Sequence, residues 1–438
     1  MISQATVERA ARSRRQIDTA PSTLAQKLVA RAAGREHVAQ GEIVTCQVDL
    51  AMFHDSSGPR RLGPMLKDLG ATLWDKNKVV LVIDHHVPEL DDESRRIVRD
   101  ARDWAKTLAL PHVYDSIGIS HVVVPQHGHI RPGMFCVGSG SHAPTGGAFG
   151  AYVFGVGATE MLGVVSTGKI WLKVPHTIFM RWSGRLTVGV SAKDMALEML
   201  GRFGLNGAQY GAIEYCGEAV QALNMPERMT LCNMSSELGA QTGLIAPDLT
   251  THTWLAATGK QRIEVDRWAS DEDAAGTFHH FDASTLAPQV ALPGSPANVR
   301  PVDDLEPTRI DVAYIGACTG AKIGDLRAAA QVLAGFQVAS HVKLLIAPAS
   351  ECDRWLAERD GIMRRLIEAG ATILPSACGA CAGHGQAIPE GSTVVSSTAS
   401  NFKGRLGSTH TRVFLASPYT VAASALRGVI CDARDVLA

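Results

Sequence analysis

A chain of 438 residues is long enough for two or three domains around a large buried core, which excludes a disulfide mini-protein or a disordered tail. The 42 Lys and Arg against 43 Asp and Glu leave a net charge of -1, so there is no basic excess to hold a nucleic-acid backbone, and no nucleic-acid partner is expected. Hydrophobic residues at 46%, charged residues at 19%, 42 glycines and 5% aromatics are the composition of a soluble α/β enzyme packed through small side chains.

Residues 1–21 carry Arg9, Arg12, Arg14 and Arg15 without an apolar stretch and read as an N-terminal extension, not a secretory signal. Nine cysteines without an export signal then point to reduced thiols in the cytoplasm. Residues 22–33 have a capping Ser or Thr and apolar residues at helical spacing, closed by Gly34, and predict a helix. The run KVVLVI at 78–83 is the β-branched pattern of a strand covered on both faces, and it delivers Asp84, His85 and His86 at its C-terminal end. A short strand is predicted at 134–137, followed by a glycine-rich loop at 138–147 that opens a helix. Residues 147–165 are the most membrane-like window. Glu160 and five glycines make them a poor lipid-facing helix, so they read as a buried helix with its lead-in, and no membrane span is expected.

Residues 270–306, rich in Asp, Pro, Ala and Ser without a sustained period, predict a domain boundary. Beyond it, strands at 310–316, 342–346 and 372–374 alternate with helices at 325–334 and near 353–369. This is the βαβαβ pattern of a parallel sheet built by crossovers. Strands at 393–396 and 412–415 and a helix near 419–426 complete the domain.

Cys318 stands just past one of these strands, in Gly-Ala-Cys-Thr-Gly, and Cys378 and Cys381 follow another in a Cys-x-x-Cys. Ligands of an open α/β sheet bind beyond the carboxyl ends of its strands, so the three thiols are expected to converge on one edge although Cys318 and Cys378 are sixty positions apart. Flanking glycines suit the close backbone approach an iron-sulfur group needs. A structural zinc site, with His384 as fourth ligand, or a pair of buried thiols are the bland alternatives. The other six cysteines, Cys46, Cys136, Cys216, Cys232, Cys352 and Cys431, read as core, and His127 and His129 as solvated loop histidines. A dinucleotide fingerprint, G-x-G-x-x-A at 138–143 with Glu160 downstream, is set aside because Pro144 follows it directly and the preceding strand is short.

The segments GACTGAK around Cys318, CGAC at 378–381, Asp84-His85, Ser141-His142, AIEYCG at 212–217 and MTLCNM at 229–234 occur in one order along nearly the whole chain. Together they resemble the aconitase superfamily, and within it the large subunits of the 3-isopropylmalate dehydratase, homoaconitase and dimethylmalate dehydratase branches. The resemblance implies a three-domain aconitase-like α/β architecture, with mostly parallel sheets flanked by helices and the site at the domain interface. The expected divisions are 22–185, 186–300 and 301–438. It implies a hydro-lyase holding a [4Fe-4S] cluster on Cys318, Cys378 and Cys381 with one open iron, acting on a small 2-hydroxy acid. Asp84 and His85 would be the acid pair, His121, His142 and Glu214 pocket residues, and Arg405 a carboxylate grip. It also implies a small swivelling-domain subunit as partner, in a heterodimer or heterotetramer, because the family's serine base is carried there; the large chain alone should be inactive.

Two departures bear on substrate. Gly140 stands where the family has an acidic residue beside the pocket histidine, which leaves that histidine without an acidic partner. Ser400 stands where it has a second carboxylate-binding arginine. Losing an arginine from a desolvated carboxylate costs about 2 to 5 kcal/mol, so an altered substrate is expected. A cluster-binding regulatory or scaffold protein without catalysis is the alternative.

Overall fold

The computed structural model describes residues 21–259, 267–383 and 388–437. His384 and nearly all of the N-terminal extension lie outside the described residues. Eighteen strands, β1 to β18 in chain order, form three main sheets and one ribbon among the described residues. The ribbon pairs β1 (Ile43–Gln47) antiparallel with β7 (Lys169–Lys173). The first sheet has β2 (Leu50–His54), β3 (Val79–Ile83), β4 (His112–Asp115), β5 (Phe135–Gly138) and β6 (Tyr152–Gly155) in the order β4-β3-β2-β5-β6, all parallel. The second has β8 (Thr177–Ser183), β9 (Ala212–Cys216), β10 (Thr242–Ile245) and β11 (Thr277–Asp282) in the order β10-β9-β8-β11, again all parallel.

The third sheet runs β13-β12-β18-β17-β14-β15-β16. Its parallel part is β14 (Val312–Ile315), β15 (Lys343–Ile346), β16 (Thr372–Ile373), β17 (Thr393–Ser396) and β18 (Arg412–Leu415). Two antiparallel edge strands, β12 (Gln289–Ala291) and β13 (Val299–Pro301), complete it. Strands β2, β3, β5, β14 are buried along their full length, as a sheet covered by helices on both faces requires. No helix among the described residues is long and apolar enough to cross a membrane.

The predicted first helix is present at Leu24–Ala32. Its Thr23 side chain accepts from the Gln26 amide while the Gln26 side chain accepts from the Thr23 amide. The helix expected near 353–369 is two helices, Glu351–Arg359 and Ile362–Glu368, separated at Gly361, which takes φ 70°. The reading of 147–165 as one buried helix with its lead-in is corrected: a 3-10 turn leads into strand β6 before the helix Ala158–Thr167 begins. The 270–306 stretch carries β11, β12 and β13. Sheet membership changes inside it, between Asp282 and Gln289, and the second sheet already begins at Thr177.

What positions the site is the meeting of sheet one with sheet three at their strand ends. The Cys378 amide donates to the Asp84 carbonyl at 2.9 Å, the Ile119 amide to Ala349 at 2.8 Å, and the Glu351 amide to Ile117 at 2.9 Å.

Candidate active site

Asp84 and His85 emerge from the end of β3. Asp84 is fully buried; its Oδ1 lies 2.6 Å from His85 Nδ1 and its Oδ2 accepts the Ser120 amide at 2.7 Å. Burial alone would lower His85, but the Asp84 charge and hydrogen bond outweigh it and hold the imidazole at about 8. Burial would likewise raise Asp84, and the same partner keeps it at about 2. The turn is held from β2: Asp55 accepts the amides of Asp84 (3.3 Å), His85 (3.0 Å) and His86 (2.8 Å), and the His54 ring stacks on His85 at 3.9 Å. Burial, followed by the neighbouring His85, lowers His54 to about 3, so it is neutral.

His121, on the helix Ser120–Gln126, and His142, after β5, stand edge to face at 6.2 Å. Desolvation and then His142 lower His121 to about 3. The acidic partner expected to be missing is present. Glu237 supplies it, with Oε1 3.1 Å from His142 Nε2, across 95 residues of sequence. Space at Gly140 is already taken: a Cβ there would sit 2.8 Å from His121 Nε2, so an aspartate would displace that ring. Glu214 does not join this group. It is buried beside the start of the first helix, accepting from Ser270 Oγ at 2.7 Å, and burial raises it to about 7. Glu214, Tyr215 and Cys216 lie on β9 itself.

The three cysteines come from the ends of β14 and β16. Cys318 and Cys381 are buried and Cys378 half-buried. Asn233 Nδ2 donates to Cys318 Sγ at 3.0 Å and to Thr145 Oγ1 at 2.8 Å, and Arg405 Nη2 reaches Cys381 Sγ at 3.7 Å. Burial, then the neighbouring Cys381, pushes the Cys318 thiol up to about 11. The hydrogen bond between Cys378 and Cys381 raises Cys378 and lowers Cys381, whose thiolate Arg405 also favours. Arg405 Nε and Asn233 Oδ1 are buried without a hydrogen-bond partner among the described residues.

These observations fit a multi-iron group. Cys378 and Cys381 lie within hydrogen-bonding reach of each other, and Cys318 approaches from the end of another strand of the same sheet. Cluster thiolates each take a separate iron, and N–H donors aimed at sulfur stabilise the loaded form. His54, Asp55 and His85, whose ligating atoms lie within 4.8 Å of one another, are already engaged, with Asp55 saturated by amides and His85 by Asp84.

Ser400 is buried, its carbonyl accepting from Thr398 Oγ1 at 3.3 Å. Next to that loop lies a cation that sequence reasoning missed. The fully buried Lys193 donates to the Thr398 carbonyl at 2.6 Å, and burial lowers it to about 8 while Glu237 and Cys318 hold it up. Elsewhere, Cys352 is exposed and not core, and His127 and His129 pack against Tyr114, with the Tyr114 hydroxyl 2.6 Å from His129 Nε2.

The aconitase family (aconitate hydratase) matches residues 26–428. The chain belongs to the aconitase family. This aconitase-family chain is 41% identical to 3-isopropylmalate dehydratase large subunit 1 of Methanopyrus kandleri over 95% of its own length and 99% of that protein. It is 38% identical to a probable methanogen homoaconitase large subunit of Methanothermobacter thermautotrophicus, over 93% and 96%. A third relative is the 3-isopropylmalate dehydratase large subunit of Desulfatibacillum aliphaticivorans, at 37% over 94% and 99%. The chain is therefore an enzyme, a hydro-lyase with the family's mostly parallel α/β architecture, and these relatives give the non-catalytic alternative no support.

Proposed function

We propose that this hydro-lyase is the large subunit of a two-chain enzyme that reversibly dehydrates a small 2-hydroxy carboxylic acid, with a [4Fe-4S] cluster on Cys318, Cys378 and Cys381. The observation that carries the reading is the junction of the two sheets, where the Cys378 amide meets the Asp84 carbonyl at 2.9 Å and sets the thiol loop against the Asp-His pair. When bound, a cluster with one iron free of protein ligand supplies a Lewis acid for the leaving hydroxyl. The rest falls to side chains. Asp84 fixes His85 by its Nδ1, leaving the other ring nitrogen to give a proton to the departing oxygen, and its value of about 8 keeps that proton on at neutral pH. Arg405, with Nε unpaired, offers donors to a substrate carboxylate. Glu237 orients His142, and neutral His121 and His54 line the pocket without adding charge.

The base for the carbon-bound proton is assigned to a small partner subunit, as the large-subunit names of the relatives support. We assign the three sheet units as domains, and an odd count of nine cysteines, three of them assigned to the cluster, suits a reducing, cytoplasmic setting. The test is anaerobic reconstitution with the small subunit, followed by ultraviolet assay of alkene formation from malate, citramalate and longer 2-hydroxy acids, and of alkene loss from maleate analogues. Turnover of at least one acid, absent from either chain alone, is the expected result. No turnover across the panel with a fully loaded cluster would overturn the reading.

A further inference from the structure

Two lysines stand buried near the Cys318 loop, and each is 1% exposed. Lys322 is balanced: its ammonium donates to Thr230 Oγ1 and to the Cys318 carbonyl, both at 2.9 Å, and pairs with Asp325 at 3.1 Å. Lys193 is not. Among the described residues its ammonium donates to the Thr398 carbonyl at 2.6 Å and more weakly to the Ser397 carbonyl at 3.4 Å, touches Met234 Sδ at 3.6 Å, and has no carboxylate within 4.0 Å. Asp194, its neighbour in sequence, accepts the Ser191 amide at 2.8 Å and the Gln289 amide at 2.9 Å. Glu237, further off, lies 3.1 Å from His142 Nε2. Nor does its own helix favour the charge: Lys193 stands in the first turn of Ala192–Phe203, the end at which the backbone dipole disfavours a cation. A buried ammonium without a counter-ion is strongly destabilising, and backbone carbonyls offset only part of that.

The contacts of Lys193 lead to Cys318 from two sides. The Ser397 carbonyl that it reaches also accepts from Thr319 Oγ1 at 2.8 Å, and Thr319 follows Cys318. Ser397 further accepts the Gly316 amide on its hydroxyl at 3.0 Å, so the turn carrying Cys318 is fastened to the segment that Lys193 holds. Met234 follows Asn233, whose Nδ2 donates to Cys318 Sγ at 3.0 Å. Three thiolates around a four-iron, four-sulfide core make a net anion, and the charge around such a group helps to set its reduction potential.

We propose that Lys193 is the built-in counter-ion of the cluster, a positioning residue whose buried positive charge is balanced only when the iron-sulfur group is loaded. The inference rests on the cluster reading above and deepens it, by naming what offsets the charge of the loaded group. Two effects follow. The ammonium favours the loaded chain over the iron-free one, because only loading supplies its partner. It also holds the reduction midpoint up, because an electron is added more easily to an anion beside a fixed cation. Burial lowers Lys193 only to about 8, so the charge is present at neutral pH.

The test compares the full chain with Lys193→Gln, which keeps a donor side chain and drops the charge, and with Lys193→Met, each prepared anaerobically with and without iron and sulfide. The readings are the unfolding temperature by circular dichroism, the reduction midpoint by titration under electron paramagnetic resonance, and the rate of iron loss to a chelator. Loading is expected to raise the unfolding temperature of the parent more than that of either variant. The midpoint of both variants moves to more negative potential, and iron leaves them about ten-fold faster or more, the scale on which partners behind the ligands act. A lysine that only holds structure would lower the loaded and iron-free chains alike and leave the midpoint in place. That result, or the failure of both variants to fold when free of iron, would overturn the counter-ion role while leaving the cluster reading intact. A parent chain that takes up no cluster overturns the cluster reading and this inference with it, and shows itself before any variant is made.

Discussion

His85→Gln is expected to lower kcat by about 10² to 10⁴ with little change in KM, because it removes a proton donor needed as the carbon-oxygen bond breaks and not a group that holds the ground state. Asp84→Asn tests the same pair from the other side. The carboxylate is what raises His85 to about 8 against the opposing pull of burial. In the parent enzyme the acid form persists up to about pH 8, so dehydration should hold through neutral pH and fall as pH rises through that value. Without the Asp84 charge, burial acts alone, the imidazole loses its proton at lower pH, and the falling limb moves to the acid side. The pH-rate profile of Asp84→Asn, measured with the small subunit, checks the sign. A limb that stays in place or moves to higher pH would contradict the role given to Asp84.

The second large effect is at the thiols. Cys318→Ser is expected to abolish turnover and iron retention together while circular dichroism stays that of the parent. Cys318 sits at the end of β14 with Asn233 Nδ2 donating to its sulfur, and a hydroxyl is a poor substitute for a thiolate ligand. Burial holds the free thiol at about 11, so loading the site has to expel a proton, and retention should weaken as pH falls. Cys352→Ser, on an exposed helix face, is the matched control and should leave both properties intact. Equal iron retention in the two variants would contradict the ligand assignment.

The sequence made some of this legible for clear physical reasons. Strand β3 could be read because five consecutive β-branched or leucine positions have no helical period, and its polar end, Asp84-His85, is a site candidate in any parallel sheet. The cysteine edge could be read for the same reason, since β14, Val-Ala-Tyr-Ile, is a short buried apolar run followed by Gly-Ala-Cys. Strand β6, four residues of Tyr-Val-Phe-Gly, could not be told from the helix after it, because an apolar run of that length fits either. The three-residue strands β12 and β13 are too short to show any period, so their segment reads as linker.

Site residues defined only by tertiary contact were invisible. Glu237 carries no local signal that it meets His142, nor does Lys193, an amphipathic helix residue by pattern, announce that it is fully buried against Thr398. Asp55 looks like any carboxylate after a strand until its three amide contacts are seen. The contact of Glu214 with Ser270 was not legible for a related reason: a motif fixes which residue is present, while the register of β9 between β8 and β10 decides where its side chain goes.

The central claim is that three sulfurs from separate strand ends share one iron-sulfur cluster beside the Asp84 and His85 pair. Its most direct test is anaerobic reconstitution of the full chain with iron and sulfide, followed by assay of iron and acid-labile sulfide and by electron paramagnetic resonance of the reduced protein. The account predicts about four irons and four sulfides per chain, a [4Fe-4S] signal, and loss of all three on replacing Cys318, Cys378 and Cys381 together with serine. A chain that holds no iron, that binds one zinc instead, or that keeps its iron after the triple replacement would contradict it.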